Sequence, residues 1–142
     1  MFAAILICEE ILDTLQREAM THERVQPLVR LVSRIHVVEE ARHVRYAREE
    51  LVRIMPRLNK GQLARQRVVV AVVSYLLADA LIDPKVYESV GIAPEVGRAA
   101  ALANPHHQQT RRWMAEKVMP FLTELGIVGG PSKRLYRKSF LI

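Results

Sequence analysis

The sequence predicts an all-α fold, and three observations carry that expectation. The composition is globular, with 50% hydrophobic and 25% charged residues in a chain of 142, enough for one domain with a real core. Glycine is scarce, at 6 residues, and alanine, leucine, arginine, glutamate and valine dominate. Aromatic and β-branched residues do not alternate with polar ones, so the period of a half-buried strand is missing.

The first helix is expected from about Phe2 to Met20, apolar in its first two turns and amphipathic after them. The stretch MTHERVQP is a connector, and Pro27 suits the first turn of the next helix, where its missing N–H costs nothing. That second helix runs to about Met55, long enough to cross the whole domain, and Pro56, Asn59 and Gly61 then break the pattern. A third helix spans about Gln62 to Ile82. It is apolar almost all round after Arg67, which predicts burial on most faces. Asp83-Pro84 is a cap followed by a favoured first residue, opening a short helix that ends at Gly91. Pro94 opens another short helix to about Ala103. Asn104-Pro105 repeats the cap signal for a longer helix to Leu125, stopped by Gly126. The last segment, GGPSKRLYRKSFLI, reads as basic and irregular. Neither an internal repeat nor a low-complexity linker is evident, so residues 1–142 form a single helical domain.

The net charge of +6 is carried mostly by arginine. Those charges are spread along helices and aromatics for base stacking are few, so a nucleic-acid partner is not expected. Cys8 is the only cysteine, which excludes an intrachain disulfide and makes the cytoplasm the expected compartment. The opening MFAAILIC lacks a basic flank and is followed at once by Glu9 and Glu10, unlike a signal peptide. The longest apolar run, Val68 to Ile82, contains Asp79 and falls short of the roughly 20 residues of a bilayer span. No membrane association is expected.

The chemistry concentrates in RIHVVEEARHVRYAREE, Arg34 to Glu50. Each helical residue advances about 100°, so His36, Glu40 and His43, spaced i, i+4 and i+7, share one stripe within an arc of about 60°. Val29 and Ala47 continue that stripe, which predicts an inward face, with Arg34, Arg42, Arg45 and Arg48 mostly pointing elsewhere. Glu40-x-x-His43 has the spacing of carboxylate-bridged di-iron proteins, in which two helices each present a glutamate and two others each a Glu-x-x-His pair. Carboxylates can bridge two metal ions and change binding mode with oxidation state, while imidazoles complete the coordination. On the first helix, Glu9 and Glu10 lie amid Ile5, Leu6, Ile7, Ile11 and Leu12, where a carboxylate is costly to bury without a counter-charge or a metal. The bland readings stay open: a solvated face with an ion pair from Glu39 to His43, and Glu9 and Glu10 flanking an exposed edge. His22 and the pair His106-His107 read as surface residues, and Asp79 as a buried hydrogen-bonded acid or a partner to metal ligands.

Together, RIHVVEEARHVRYAREEL and the preceding CEEILD resemble the second half of the para-aminobenzoate N-oxygenase family. The resemblance is strong over the first third of the chain and general over the rest. It implies a ferritin-like helical bundle, here lacking its N-terminal helices, and a non-haem di-iron oxygenase that converts an aryl amine toward nitro with O2. It implies metal ligation by Glu9, His36, Glu40 and His43, with Glu10 in place of Glu9 if the register slips by one. The extra histidine at position 36 sets this family apart from other ferritin-like sites. The implied cofactor is two iron ions, with manganese as the alternative. The implied partners are a small aromatic amine, O2, an external electron donor and a second copy of the chain. An apolar pocket beside the metals is expected to admit the substrate.

The departure from the family is that the other glutamate helix and the other Glu-x-x-His helix are missing from this sequence. One expectation is a truncated relative. The other is that two copies complete one another, which the pseudo-symmetry of such sites permits. A non-catalytic helical half-domain, acting through dimerisation or packing on a partner, is the competing function.

Overall fold

The structure, a computed structural model, describes residues 2–142. Its elements are α1 (Phe2–Thr21), α2 (Pro27–Ile54), α3 (Lys60–Ala80), α4 (Pro94–Ala103), α5 (Pro105–Met114), α6 (Val118–Glu124) and α7 (Lys133–Lys138), with 3-10 turns at Met55–Arg57, Pro84–Val90 and Gly130–Ser132. The all-α expectation holds, and the chain forms a helical bundle.

Caps written in the sequence begin the helices. Asn59 and Gln62 form a reciprocal capping box, each side chain accepting from the other's backbone N–H at 2.9 Å. Asp83 accepts from the Lys85 amide and Asn104 from that of His106, both at 2.9 Å. The stop signals act as expected at Gly91 and Gly126, whose φ angles of 77° and 73° lie in the left-handed region open to glycine. The segment after Asp83 is a 3-10 rather than an α-helix.

α1 lies at the centre. It packs antiparallel along α2 and also meets α3, α5 and α6. Its buried residues Ala3, Leu6, Ile7, Glu10, Ile11 and Thr14 recur at helical spacing and join the core cluster with Ala47, Leu51, Val70, Ala71, Val118 and Leu122.

Four expectations are corrected. The helix from Pro105 does not run unbroken to Leu125. It ends at Met114 and restarts at Val118, because Pro120 has no N–H to offer the ladder and its ring would clash with the carbonyl of Glu116. The basic C-terminal segment is ordered: α7 brings Tyr136 into the core, fully buried, and the turn after it brings Leu141. α3 is not buried on most faces, since Val68, Val69, Val72 and Leu76 form an exposed ridge opposite the buried Val70, Ala71, Ser74 and Ala78. The stripe on α2 does not face fully inward, because that helix packs through one face only. Its buried line is Ser33, Val37, Ala47 and Leu51, whereas Val29 is exposed, as are Leu28, Leu31, Val32, Ile35 and Val38 on the outer side.

Candidate metal centre

The pairing of α1 with α2 places residues far apart in sequence side by side. Gln16 on α1 meets His36, Glu9 meets Glu40, and Glu10 meets Arg48. Leu6, Ile7 and Ile11 of α1 and Ala47 and Leu51 of α2 belong to the core that holds this register.

His36, Glu40 and His43 share one edge of α2. Glu40 is the hub. His43 Nδ1 lies 2.7 Å from one carboxylate oxygen, and His36 Nε2 lies 3.9 Å from the other. Glu9 and Glu40 are neighbours across the helix pair, close enough that each carboxyl shifts the ionisation of the other. Burial, and then the neighbouring Glu40 carboxylate, pushes the Glu9 carboxyl above its usual range. Glu40 moves down, chiefly through its hydrogen bond to His43. Neighbouring carboxylates disfavour each other's ionisation, which a proton or a cation between them relieves.

His36 has a further restraint. Its Nδ1 lies 2.8 Å from the side-chain oxygen of Gln16. Donation of the Nδ1 proton to that oxygen leaves Nε2, on the side of Glu40, as the lone-pair nitrogen, which is how metal-binding imidazoles are commonly oriented. The edge lies at the rim of the helix pair: the Glu40 side chain is 18% exposed, that of His36 40% and that of His43 68%. As the side chains stand, no group of three or more His, Cys, Asp and Glu among the described residues is arranged to hold a metal ion. The donor types suit a carboxylate-histidine metal centre; among the described residues they do not close into one.

The two adjacent glutamates separate cleanly. Glu9 faces the histidine edge. Glu10 is buried and bound by both Nε and Nη2 of Arg48, at 2.6 and 2.7 Å, so it is committed to an ion pair and the alternative register for the ligand is not adopted. Arg48 is accordingly not an outward arginine: its guanidinium also lies 4.3 Å from the centre of the Phe121 ring. The sequence did offer a signal, a carboxylate in an apolar run that demanded a counter-charge, but not which arginine would supply it. The bland ion pair from Glu39 to His43 is replaced by the one from Glu40. His22 and His106 are exposed, and His107 is half-buried. Asp79 pairs with Arg98, not with the histidine edge.

An apolar cavity of about 140 Å³ opens between α1 and α3, lined by Cys8, Ile11, Leu12, Leu77, Ala80 and Leu81. Burial, followed by the nearby Glu9, pushes the Cys8 thiol up, so it stays protonated and behaves as part of the apolar wall. Among the described residues, no helix is long and apolar enough to cross a membrane.

Two antiparallel helices that bring carboxylates and imidazoles to one edge are a feature of carboxylate-histidine helical bundles. More specifically, the chain belongs to the p-aminobenzoate N-oxygenase (AurF) family, whose family model matches residues 1–126. It is similar to the uncharacterized protein Rv0885 of Mycobacterium tuberculosis (strain ATCC 25618 / H37Rv), with 28% identity over 118 residues, 81% of this chain and 34% of that protein. The uncharacterized protein Mb0909 of Mycobacterium bovis gives the same identity and coverage. The chain thus spans about a third of the length of these relatives. No solved structure matches significantly. The family is one of non-haem di-iron oxygenases on a ferritin-like bundle.

Proposed function

We propose that this chain supplies one half of a di-iron oxygenase centre, with Glu9, His36, Glu40 and His43 as its metal ligands. The observation that carries the reading is the meeting of Glu9 with Glu40 across the α1–α2 pair, with an imidazole on each side of Glu40. Two iron ions held there would supply O2 activation when reduced by an external donor, and manganese could occupy the same donor set. The chain's own share is to hold the ligands, to fix the His36 tautomer through Gln16 and to keep water from the apolar side of α1. The cavity beside Cys8 suits a single aromatic ring, since an apolar cavity of about 150 Å³ holds benzene. An aryl amine, oxidised toward the nitro level, is the substrate class in keeping with the family.

The remaining ligands would come from further helices seated on the exposed apolar sides of α2 and α3. Leu28, Leu31, Val32, Ile35 and Val38 border the histidine edge of α2, and the Val68–Leu76 ridge of α3 is likewise uncovered. A second copy of the chain would meet both needs, because the family's bundle is pseudo-symmetric. A purely scaffolding half-domain is the competing reading, favoured by those same exposed faces.

Iron content per chain, measured after anaerobic loading with ferrous iron, separates the two. Bound iron that disappears on H36A/H43A substitution supports the metal centre. Iron at background level, unchanged by the substitutions, together with a metal-independent oligomer in sedimentation, establishes the scaffold instead.

A further inference from the structure

On the opposite side of α3, a second cavity of about 240 Å³ is lined by Tyr75, Asp79, Arg98, Leu102, Arg111, Lys138 and Phe140. It shares no residue with the histidine edge. Three cationic side chains and one carboxylate line it, and the carboxylate is already taken by Arg98. Among the described residues, Arg111 feels the Asp79 charge but makes no salt bridge to it, and Lys138 makes none at the cavity.

Arg111 is the unusual member. It is only 7% exposed, and its guanidinium makes one long bond, from Nη1 to the Ser139 carbonyl at 3.4 Å. Its buried Nε has no hydrogen-bond partner. A buried guanidinium is costly unless its donors and its charge are met. Burial accordingly pushes the Arg111 guanidinium below its ordinary range.

Phe140 adds an independent observation. Among the described residues it is the one non-glycine with positive φ, at 58°. It occupies the left-handed position of a Schellman turn after α7, where its N–H bonds Arg137 and that of Leu141 bonds Tyr136. Glycine would take that conformation with less strain. The chain instead keeps an aromatic side chain there, and it lines the cavity.

We propose that this cavity is a binding site for a small organic carboxylate. The carboxylate would take the donors of Arg111 and the charge of Lys138, with its body between Tyr75, Leu102 and Phe140. Arginine's planar fork matches a carboxylate in two-point geometry. Lys138, whose ammonium lies 5.2 Å from the centre of the Tyr75 ring, stands at the wall as a second point charge. The cavity is smaller than the roughly 300 Å³ of a drug-sized pocket, so the ligand is a compact acid. The site is independent of the metal reading and stands whether or not iron binds.

The test is titration of the metal-free chain with benzoate, benzyl alcohol and inorganic phosphate, reading the Arg111 Nε–H resonance by 1H–15N NMR. Saturable movement with benzoate and none with benzyl alcohol is expected. K138Q, a change at an exposed position, is expected to weaken benzoate about fivefold or more. R111K, read through the backbone amides of Tyr75 and Phe140 at the cavity wall, is expected to abolish saturation, with chemical denaturation used to check that it folds. No saturable shift with benzoate overturns the proposal, as does an affinity unchanged in K138Q. Phosphate binding as tight as benzoate overturns the assignment to an organic carboxylate.

Discussion

Arg48 on α2 grips Glu10 on α1 through two guanidinium nitrogens, and this pair determines which of two adjacent glutamates faces the histidine edge. Glu10 is 6% exposed at its side chain and Arg48 32%. With Glu10 turned to Arg48, the neighbouring Glu9 is directed to Glu40. The ion pair therefore acts as a register pin between the two helices that carry the candidate ligands.

Arg48→Ala is expected to destabilise the chain by about 3 kcal/mol, because the buried Glu10 carboxylate is left without compensation. The partial exposure of Arg48 keeps the figure at the lower end of the range. Replacing both partners with apolar residues, E10L/R48M, is expected to recover most of that loss. Urea denaturation of the three proteins checks the order.

Gln16 holds the His36 ring without being a candidate ligand. Under the metal reading, Q16L is expected to weaken iron binding about 10–100-fold, as removal of such orienting partners does. E9Q, which replaces a ligand carboxylate with an amide, is expected to weaken it further. Competition with a chelator of known affinity gives both values. Equal affinities for wild type and Q16L would remove Gln16 from the site.

Gly97 on α4 lies against the Tyr87 ring. A Cβ there would overlap the Tyr87 Cγ, with other ring atoms close behind. Gly97→Ala is expected to cost about 1–3 kcal/mol by forcing the ring or α4 to shift. Thermal denaturation of the variant reads the loss.

Tyr136 is fully buried and its phenol is pushed up to about 12 by burial. An unfolded tyrosine ionises near 10. Below that pH the phenol is protonated in both states and contributes no pH dependence. Between the two values the unfolded chain loses the proton while the folded chain keeps it, so stability falls as pH rises, by about 1.4 kcal/mol per unit. Y136F lacks this term. The stability gap between wild type and Y136F is expected to shift in favour of the variant between about pH 9 and about pH 11. Equal slopes for both proteins would show that the phenol ionises normally in the folded chain.

The outer side of α2 exposes Leu31, Ile35 and Val38, and α3 exposes Val72 and Leu76. Contiguous exposed apolar surface of this kind marks an interaction face. The purified chain is expected to self-associate, and I35E/V72E to raise its dissociation constant at least tenfold. Sedimentation equilibrium measures the change. An I35E/V72E dissociation constant no higher than that of the wild type would place any self-association elsewhere.

Local signals were legible in the sequence. The caps at Asn59, Asp83 and Asn104, the stops at Gly91 and Gly126 and the opening proline of α2 act over a few residues, so they can be read without knowing the packing. The spacing of His36, Glu40 and His43 likewise follows from helix geometry alone. The break before Pro120 is equally local, but the apolar pattern continues across it and masks the stop.

The rest depended on which surfaces meet. Glu9 and Glu10 are chemically identical neighbours, about 100° apart on one helix, and only the seating of α1 on α2 assigns one to the histidine edge and the other to Arg48. The apolar face of α3 predicted burial, yet among the described residues nothing covers Val68, Val69, Val72 and Leu76. Hydrophobic pattern records what a surface requires, not whether a neighbour is there to supply it. The sequence by itself determined the three long helices, the caps that open several elements and the family's ligand spacing, because those depend on interactions within a turn or two. The tertiary structure decided the partner of each charge and the exposure of each face, because those depend on groups distant in sequence that only packing brings together.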